Sequence, residues 1–183
     1  MQVNNHQLSN ITFVPSPNFD SRPSDEISLV VIHAISLPLG NYDTSLIRDL
    51  FTNNLKIDLH PSFQDLKDLR VSSHLLITRI GEIIQFVPFN LRAWHAGISS
   101  YEGRENCNDF SIGIELEGCD HEIFTAEQYH ALNQILRTLA DEYAITPENI
   151  VGHSDIAPGR KTCLLYTSPS PRDVEESRMP SSA

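Results

Sequence analysis

Residues 108–118 read NDFSIGIELEG, and apolar side chains alternate there with small or polar ones. Because successive side chains of a β-strand point to opposite faces, this pattern predicts a strand. One face would be packed, and it carries Ile112, Ile114 and Leu116. The other face carries Ser111, Gly113 and Glu115, so that a carboxylate stands beside two small neighbours. We expect room on that face for a metal-bound water or a substrate; the alternative is a half-exposed strand whose polar side meets solvent.

Other periodic segments place this strand in a larger sheet. A near-continuous β-branched run at 27–35 is typical of a strand buried on both faces, and therefore of a central strand. The segments 74–80 and 82–87, on either side of Gly81, predict a hairpin. A short apolar stretch at 150–152 predicts one more strand.

Two segments have helical spacing. Apolar residues share one stripe at about 44–53, where Asp43 or Thr44 would cap the helix. A longer helix is predicted to run to about Tyr143, beginning with a capping box formed by Thr125 and Gln128. The order of elements predicts an α/β (α+β) fold, with a central mixed β-sheet flanked by helices.

The length of 183 residues suits a single domain, and its composition suggests three parts. Residues 1–26 are rich in Asn, Ser and Pro and predict an extended arm on the surface. Residues 27–163 would form the domain itself. Residues 164–183 show no periodicity and contain three prolines and five serines, which predicts a disordered or non-native tail.

Charge and cysteine content narrow the function classes. A formal net charge of -11 disfavours nucleic acid and anionic membranes as partners, because both attract basic surfaces. Three cysteines without close pairing argue against a disulfide framework and for a reducing compartment. The polar start has no basic and apolar leader, and no apolar run is long enough to span a bilayer. We therefore expect a cytoplasmic protein. We also expect a monomer.

Two of the eight histidines, His33 and His153, stand where predicted strands end. Sites in open α/β sheets gather at strand ends, and neutral imidazole is a common zinc ligand, although the two histidines do not form a tight motif such as H-E-x-x-H. After His153 the chain continues through a Pro-Gly turn to Lys161 and Cys163, which can fold back towards one centre. A catalytic zinc needs three protein ligands, a carboxylate such as Glu115 could accept a proton from water, and a lysine could stabilise an oxyanion.

The residues also resemble a known family. The likeness rests on residues 30–33 (VVIH), 69–74 (LRVSSH), 94–97 (WHAG), 107–118 (CNDFSIGIELEG) and 152–158 (GHSDIAP). In this order and spacing the chain is similar to the AmpD-type 1,6-anhydro-N-acetylmuramyl-L-alanine amidases. These belong to a wider zinc amidase group that includes phage amidases and peptidoglycan recognition proteins. The resemblance covers about residues 14–162.

The resemblance implies a function and a set of site residues. It implies zinc held by His33 and His153, with Glu115 and Lys161 as catalytic partners. The expected reaction is hydrolysis of the amide between the lactyl group of an anhydromuramic sugar and the first L-alanine of a stem peptide, so the expected partner is an anhydromuropeptide. Three further residues are candidates for substrate binding. Arg70 would bind a carboxylate, and the alternative is a solvated surface arginine. Trp94 and His95 would line the sugar cleft, and the alternative for both is a core or supporting role.

Three positions depart from the family pattern. Cys163 stands where the family usually has an aspartate followed by Pro-Gly, although thiolate is itself a zinc ligand and the phage and recognition-protein relatives use cysteine there. Ala34 replaces an asparagine after the first ligand, and Asn106 replaces an arginine before the central motif. Two other interpretations therefore stay open: a muropeptide-binding protein with impaired catalysis, and a truncated amidase with a replaced C-terminus.

Substitution of Cys163 tests whether this residue completes the zinc site. If it is the third ligand, Cys163→Ser should sharply weaken zinc affinity, whereas Cys163→Asp should retain the metal through a carboxylate. The measurement is the zinc dissociation constant of the parent and both variants under reducing conditions. Equal affinities for the parent and the Ser variant would remove Cys163 from the site.

Overall fold

The computed structural model describes residues 1–119 and 122–158. Three α-helices lie in this part of the chain: α1 (Thr44–Phe51), α2 (Ala126–Tyr143) and the one-turn α3 (His153–Ile156). Short 3₁₀ turns lie at Ile57–Leu59, Pro61–Leu66, Cys107–Asp109 and Pro147–Asn149. The strands are β1 (Val3–Asn4), β2 (Gln7–Leu8), β3 (Thr12–Phe13), β4 (Phe19–Ser21), β5 (Leu29–Ile35), β6 (Leu75–Ile77), β7 (Ile83–Gln85), β8 (Leu91–Ala93), β9 (Ser100–Tyr101), β10 (Arg104–Glu105), β11 (Ser111–Glu117) and β12 (Ile150–Gly152).

The main sheet has six strands in the order β12-β5-β11-β6-β7-β3. The first four are mutually parallel, β6 and β7 form the predicted antiparallel hairpin, and β3 adds a parallel edge strand. The predicted mixed sheet is therefore confirmed. The 27–35 run forms β5, which lies between β12 and β11 and is buried from Leu29 to His33, as its apolar composition predicts.

Strand β11 is buried along its whole length, so the half-exposed alternative is wrong. Its apolar face carries Ile112, Ile114 and Leu116, and it packs in one hydrophobic cluster with the inward face of α2, contributed by Leu132, Ile135 and Leu139. On the opposite face, Ser111 and Gly113 pair in register with Leu29 and Val31 of β5, which belong to a smaller hydrophobic cluster. Burial on both faces makes β11 a rigid support for any side chain that it presents.

Both predicted helix starts are confirmed. Asp43 caps α1, because its carboxylate accepts a hydrogen bond of 3.0 Å from the amide of Ser45. Thr125 and Gln128 form the capping box of α2. The buried amide of Gln128 also donates to the carbonyl oxygens of Ile77 (3.2 Å) and Glu117 (2.9 Å), and so ties the start of α2 to the ends of β6 and β11.

The N-terminal segment is extended, as predicted, but it is not a peripheral arm. Strand β3 pairs with β7 in the main sheet, and β4 pairs with β8. Leu8 lies in the main hydrophobic cluster, and the buried Asn18 donates to the carbonyl oxygen of Val71 at 2.7 Å. Local composition did not indicate these contacts, because they depend on partners about 50 to 80 residues away.

The described part of the chain has no helix with the length and apolar character that a bilayer crossing requires. The proposed tail at 164–183 lies outside the described residues.

Replacing Gln128 with Leu should lower the free energy of unfolding by about 2 to 3 kcal/mol, because two buried carbonyl groups would lose their donor. Urea denaturation measures this change. Gln134→Leu is the matched control, since Gln134 lies on the exposed face of the same helix and its substitution should change stability by only about 0.5 kcal/mol. Equal losses in the two variants would contradict a structural role for the Gln128 amide.

Candidate active site

Three neighbouring strands bring the candidate residues together at one edge of the sheet. His33 lies near the end of β5, and Glu115 of β11 is its direct partner in the parallel register. Gly152 pairs with Ile32 at the end of β12, so that the next residue, His153, follows beside His33. Parallel strands share a carboxyl edge, and sites in α/β sheets form there. The predicted association of His33, His153 and Glu115 is therefore present in the fold.

The geometry of these side chains is close and buried. Nδ1 of His33 lies 2.8 Å from Nδ1 of His153, and 3.9 Å from Oε1 of Glu115. All three residues expose less than one tenth of their surface. Two imidazole nitrogens that face each other are donors of the kind that zinc prefers, so these residues fit a zinc ion.

The other nitrogen of His33 contacts His95. Nε2 of His33 lies 3.0 Å from Nδ1 of His95, and Nε2 of His95 lies 3.2 Å from Oγ of Ser111. Burial, with smaller contributions from the neighbouring histidines and Arg22, lowers the pKa of His95 well below its usual range. A neutral ring has one donor and one acceptor nitrogen, and can therefore continue a hydrogen-bond chain.

The space beside Gly113 is not available to a substrate. A Cβ atom at Gly113 would lie 2.5 Å from Cγ of His95, so the imidazole ring itself fills the room that the small residues of β11 leave. The expectation of a substrate or metal-bound water beside Gly113 is therefore wrong. The small residues of β11 do mark a position of the site, but the space beside them is occupied by the side chain of a histidine from another segment.

Arg70 and Trp94 are the other two residues that the sequence predicts to bind substrate. The Arg70 side chain is exposed, and its Nη1 donates to the carbonyl oxygen of Leu69 at 3.1 Å. Trp94 precedes His95, but its side chain forms a hydrogen bond with Asp20. The Arg92 guanidinium has the largest effect in lowering the pKa of the Asp20 carboxyl, and the hydrogen bond from Trp94 adds to it. Their roles in substrate binding stay predictions.

Lys161 and Cys163 lie outside the described residues, so their predicted roles are not tested. In residues 1–119 and 122–158 no three His, Cys, Asp or Glu side chains are arranged to hold a metal ion. His33 and His153 form a pair of candidate ligands. The two cysteines of the described region, Cys107 and Cys119, are free and buried.

Two residues that support the site have little sequence signal. His74 is fully buried, and its Nδ1 accepts from the amide of Gly113 at 3.0 Å. Arg22 lies in the N-terminal segment, and its guanidinium donates to the carbonyl oxygens of Asn108, Asp109 and Ser111 at 2.8–3.1 Å. It thereby fixes the start of β11, although a lone arginine in a polar run does not suggest this contact.

Known proteins of similar sequence identify the family of this chain. A family profile described as N-acetylmuramoyl-L-alanine amidase matches residues 23–171, which is most of the 183-residue chain. The chain belongs to the N-acetylmuramoyl-L-alanine amidase family. The amidase is therefore a hydrolase, and the resemblance expected from its motifs is confirmed.

Individual relatives agree. The 1,6-anhydro-N-acetylmuramyl-L-alanine amidase AmpD of Salmonella typhimurium (strain SL1344) is 55% identical over 150 residues, which are 81% of this chain and 80% of that protein. A crystal structure of a selenomethionine AmpD derivative superposes on this amidase with a TM-score of 0.86 at 50% identity, covering 88% of this chain and 91% of that one.

A more distant solved structure contains a ligand. AmiD from Escherichia coli, in complex with the substrate anhydro-N-acetylmuramic acid-L-Ala-D-γ-Glu-L-Lys, has a TM-score of 0.53 and 34% identity, covering 74% of this chain and 51% of that one. The expected fold class is therefore also that of amidases whose structures have been solved.

His74 should make the stability of the amidase depend on pH. Burial, and next the nearby Arg22 guanidinium, lower the pKa of His74 to about 3, whereas a histidine in the unfolded chain has a pKa of about 6.5. Between these values the unfolded chain binds one more proton, so the free energy of unfolding falls by up to about 1.4 kcal/mol per pH unit as the pH decreases.

His74→Asn retains an acceptor for the Gly113 amide and should remove this contribution to the slope. Urea denaturation from pH 7 to pH 4 measures the slope, and His130→Asn, on the exposed face of α2, is the control. An unchanged slope in the His74 variant would contradict the neutral, buried state of this histidine.

Proposed function

We propose that the amidase hydrolyses the amide that joins the lactyl group of 1,6-anhydro-N-acetylmuramic acid to the L-alanine of a stem peptide, in peptidoglycan recycling. The observation that carries the proposal is the buried group of His33, His153 and Glu115 at one edge of the sheet. Support comes from the AmpD relatives, whose names state this linkage, and from the AmiD complex with an anhydromuropeptide.

His33 and His153 would hold a zinc ion, with Cys163 as the proposed third protein ligand. When bound, zinc lowers the pKa of a coordinated water to about 7 and polarises a carbonyl group. Cys163 is a departure from the usual aspartate of the family, and thiolate nevertheless belongs to the set of natural zinc ligands.

Glu115 would accept the proton of the attacking water. Its Oε1 lies 3.9 Å from Nδ1 of His33, so the carboxylate stands beside the proposed ligands, and β11 holds its backbone rigidly. A carboxylate within one water of the reacting group can act as general base and then pass the proton to the leaving amine. Lys161, as a cation next to the reacting carbonyl, would stabilise the oxyanion of the tetrahedral intermediate.

Substrate binding would use groups outside the buried cluster. The exposed guanidinium of Arg70 would pair with a carboxylate of the stem peptide, for which its two-pronged geometry is suited. Trp94 would offer an aromatic edge to the sugar. The free cysteines of the described region, Cys107 and Cys119, favour action in the cytoplasm, on small muropeptides.

Replacing Glu115 with Gln should leave zinc bound and reduce turnover by about 10²-fold or more, because proton transfer is lost while the shape of the side chain is kept. The measurements are the release of the peptide from anhydromuramyl-tripeptide and the zinc content of each purified protein.

The matched control is Glu117→Gln, two residues further along the same face of β11. The Glu117 carboxylate accepts from the hydroxyl of Thr44 (2.8 Å) and the amide of Arg79 (3.0 Å), so its loss should lower stability and leave turnover per folded molecule nearly unchanged. Near-parental turnover in the Glu115 variant would exclude it as the base. A parent that binds zinc and anhydromuropeptide without turnover would favour the binding-protein alternative.

A further inference from the structure

His95 is held from several directions at the centre of the site. Its backbone amide and that of Ala96 donate to Oδ1 of Asn108, at 3.2 and 2.9 Å. Its ring lies directly beside Gly113, where a Cβ atom would come within 2.5–2.7 Å of three ring atoms. The segment around β11 therefore fixes both the main chain and the ring plane of this histidine.

The two ring nitrogens of His95 both contact side chains. Nδ1 lies 3.0 Å from Nε2 of His33, and Nε2 lies 3.2 Å from the hydroxyl of Ser111, which is fully buried. His74, the neighbouring buried histidine, differs in this respect. Its Nδ1 accepts from the backbone amide of Gly113 and its Nε2 lies 3.0 Å from the carbonyl oxygen of Leu91, an arrangement that serves the fold.

The hydrogen bonds from His33 through His95 to Ser111 can be oriented in two directions. Only one of these orientations leaves His33 able to bind a metal. The Nδ1 atom of His33 faces Nδ1 of His153, so it is the nitrogen that would bind a metal and it must keep its lone pair. Nε2 of His33 then carries the proton and donates to Nδ1 of His95. His95 must in turn carry its proton on Nε2, from which it donates to Oγ of Ser111.

The opposite direction blocks metal binding. If the Ser111 hydroxyl donated to His95, and His95 donated from Nδ1 to His33, neutral His33 would carry its proton on Nδ1. That nitrogen would then have no lone pair for a metal.

We propose that His95 is a positioning residue that, together with Ser111, fixes the metal-binding tautomer of His33. The inference rests on the zinc centre of the proposed function. It also gives Ser111 and Gly113 a role: Ser111 accepts the final hydrogen bond, from Nε2 of His95, and Gly113 leaves space for the imidazole ring. Partners of this kind, which hydrogen-bond the far nitrogen of a ligating histidine, typically contribute about 10- to 100-fold to metal affinity.

Two amide substitutions at His95 test the roles of its two ring nitrogens separately. In His95→Asn the carbonyl oxygen replaces Nδ1 and can still accept from His33. In His95→Gln the amide group lies near the former position of Nε2, so the contact with Ser111 is kept and the acceptor for His33 is lost. We expect zinc affinity, measured by competition with a chromophoric chelator, to fall by less than about 3-fold for Asn and by about 10- to 100-fold for Gln.

A second pair of variants keeps both histidines. Ser111→Ala removes the last acceptor of the chain and should weaken zinc binding by about 3- to 10-fold. Ser73→Ala is the matched control, because Ser73 is equally buried and its hydroxyl has no hydrogen-bond partner among the residues that the structure describes. Zinc affinity in the control should stay within about 2-fold of the parent.

Nitrogen chemical shifts of the imidazoles in the metal-free protein provide a readout that general destabilisation does not move. The parent and His95→Asn should have His33 protonated on Nε2, and His95→Gln should show a mixture of tautomers. Equal zinc affinities for the Asn and Gln variants, or for Ser111→Ala and its control, would overturn the role of His95 while leaving the zinc centre intact. A parent that binds no zinc would overturn the centre and this inference together.

Discussion

The parallel register of β5 with its two neighbours is the constraint on which the site depends. It pairs Glu115 with His33 on one side and brings His153 alongside on the other. A shift of one residue in either pairing would turn a side chain to the opposite face of the sheet, because strand side chains alternate. The register is stabilised by hydrophobic packing on both faces, with α2 on one side and the smaller cluster that includes Leu29 and Val31 on the other.

The polar face of β11 shows how the same strand serves packing and chemistry. Its apolar residues pack against α2, whereas Ser111 and Gly113 receive the ring of His95, and Glu115 projects beside His33. Each small or polar residue on this face therefore has a defined contact. A buried polar group is stable only when it is hydrogen-bonded, and the chain from His33 through His95 to Ser111 meets that requirement.

The sequence predicted those parts of the fold and site that depend on local patterns. Alternation identified β11, helical spacing and a capping box identified α2, and strand ends suggested His33 and His153. It did not indicate that residues before 27 join the sheet, nor that His95 fills the space beside Gly113. Those contacts join distant segments through shape and backbone hydrogen bonds, which leave no periodic signal.

The central claim is that His33 and His153 bind the same zinc ion. X-ray absorption at the zinc edge, on the zinc-loaded full chain under reducing conditions, counts the ligands by type. We predict two imidazole nitrogens at about 2.0–2.1 Å and one sulfur at about 2.3 Å. A zinc environment with fewer than two imidazoles would contradict the arrangement described for this edge of the sheet, and two imidazoles without sulfur would exclude Cys163 alone.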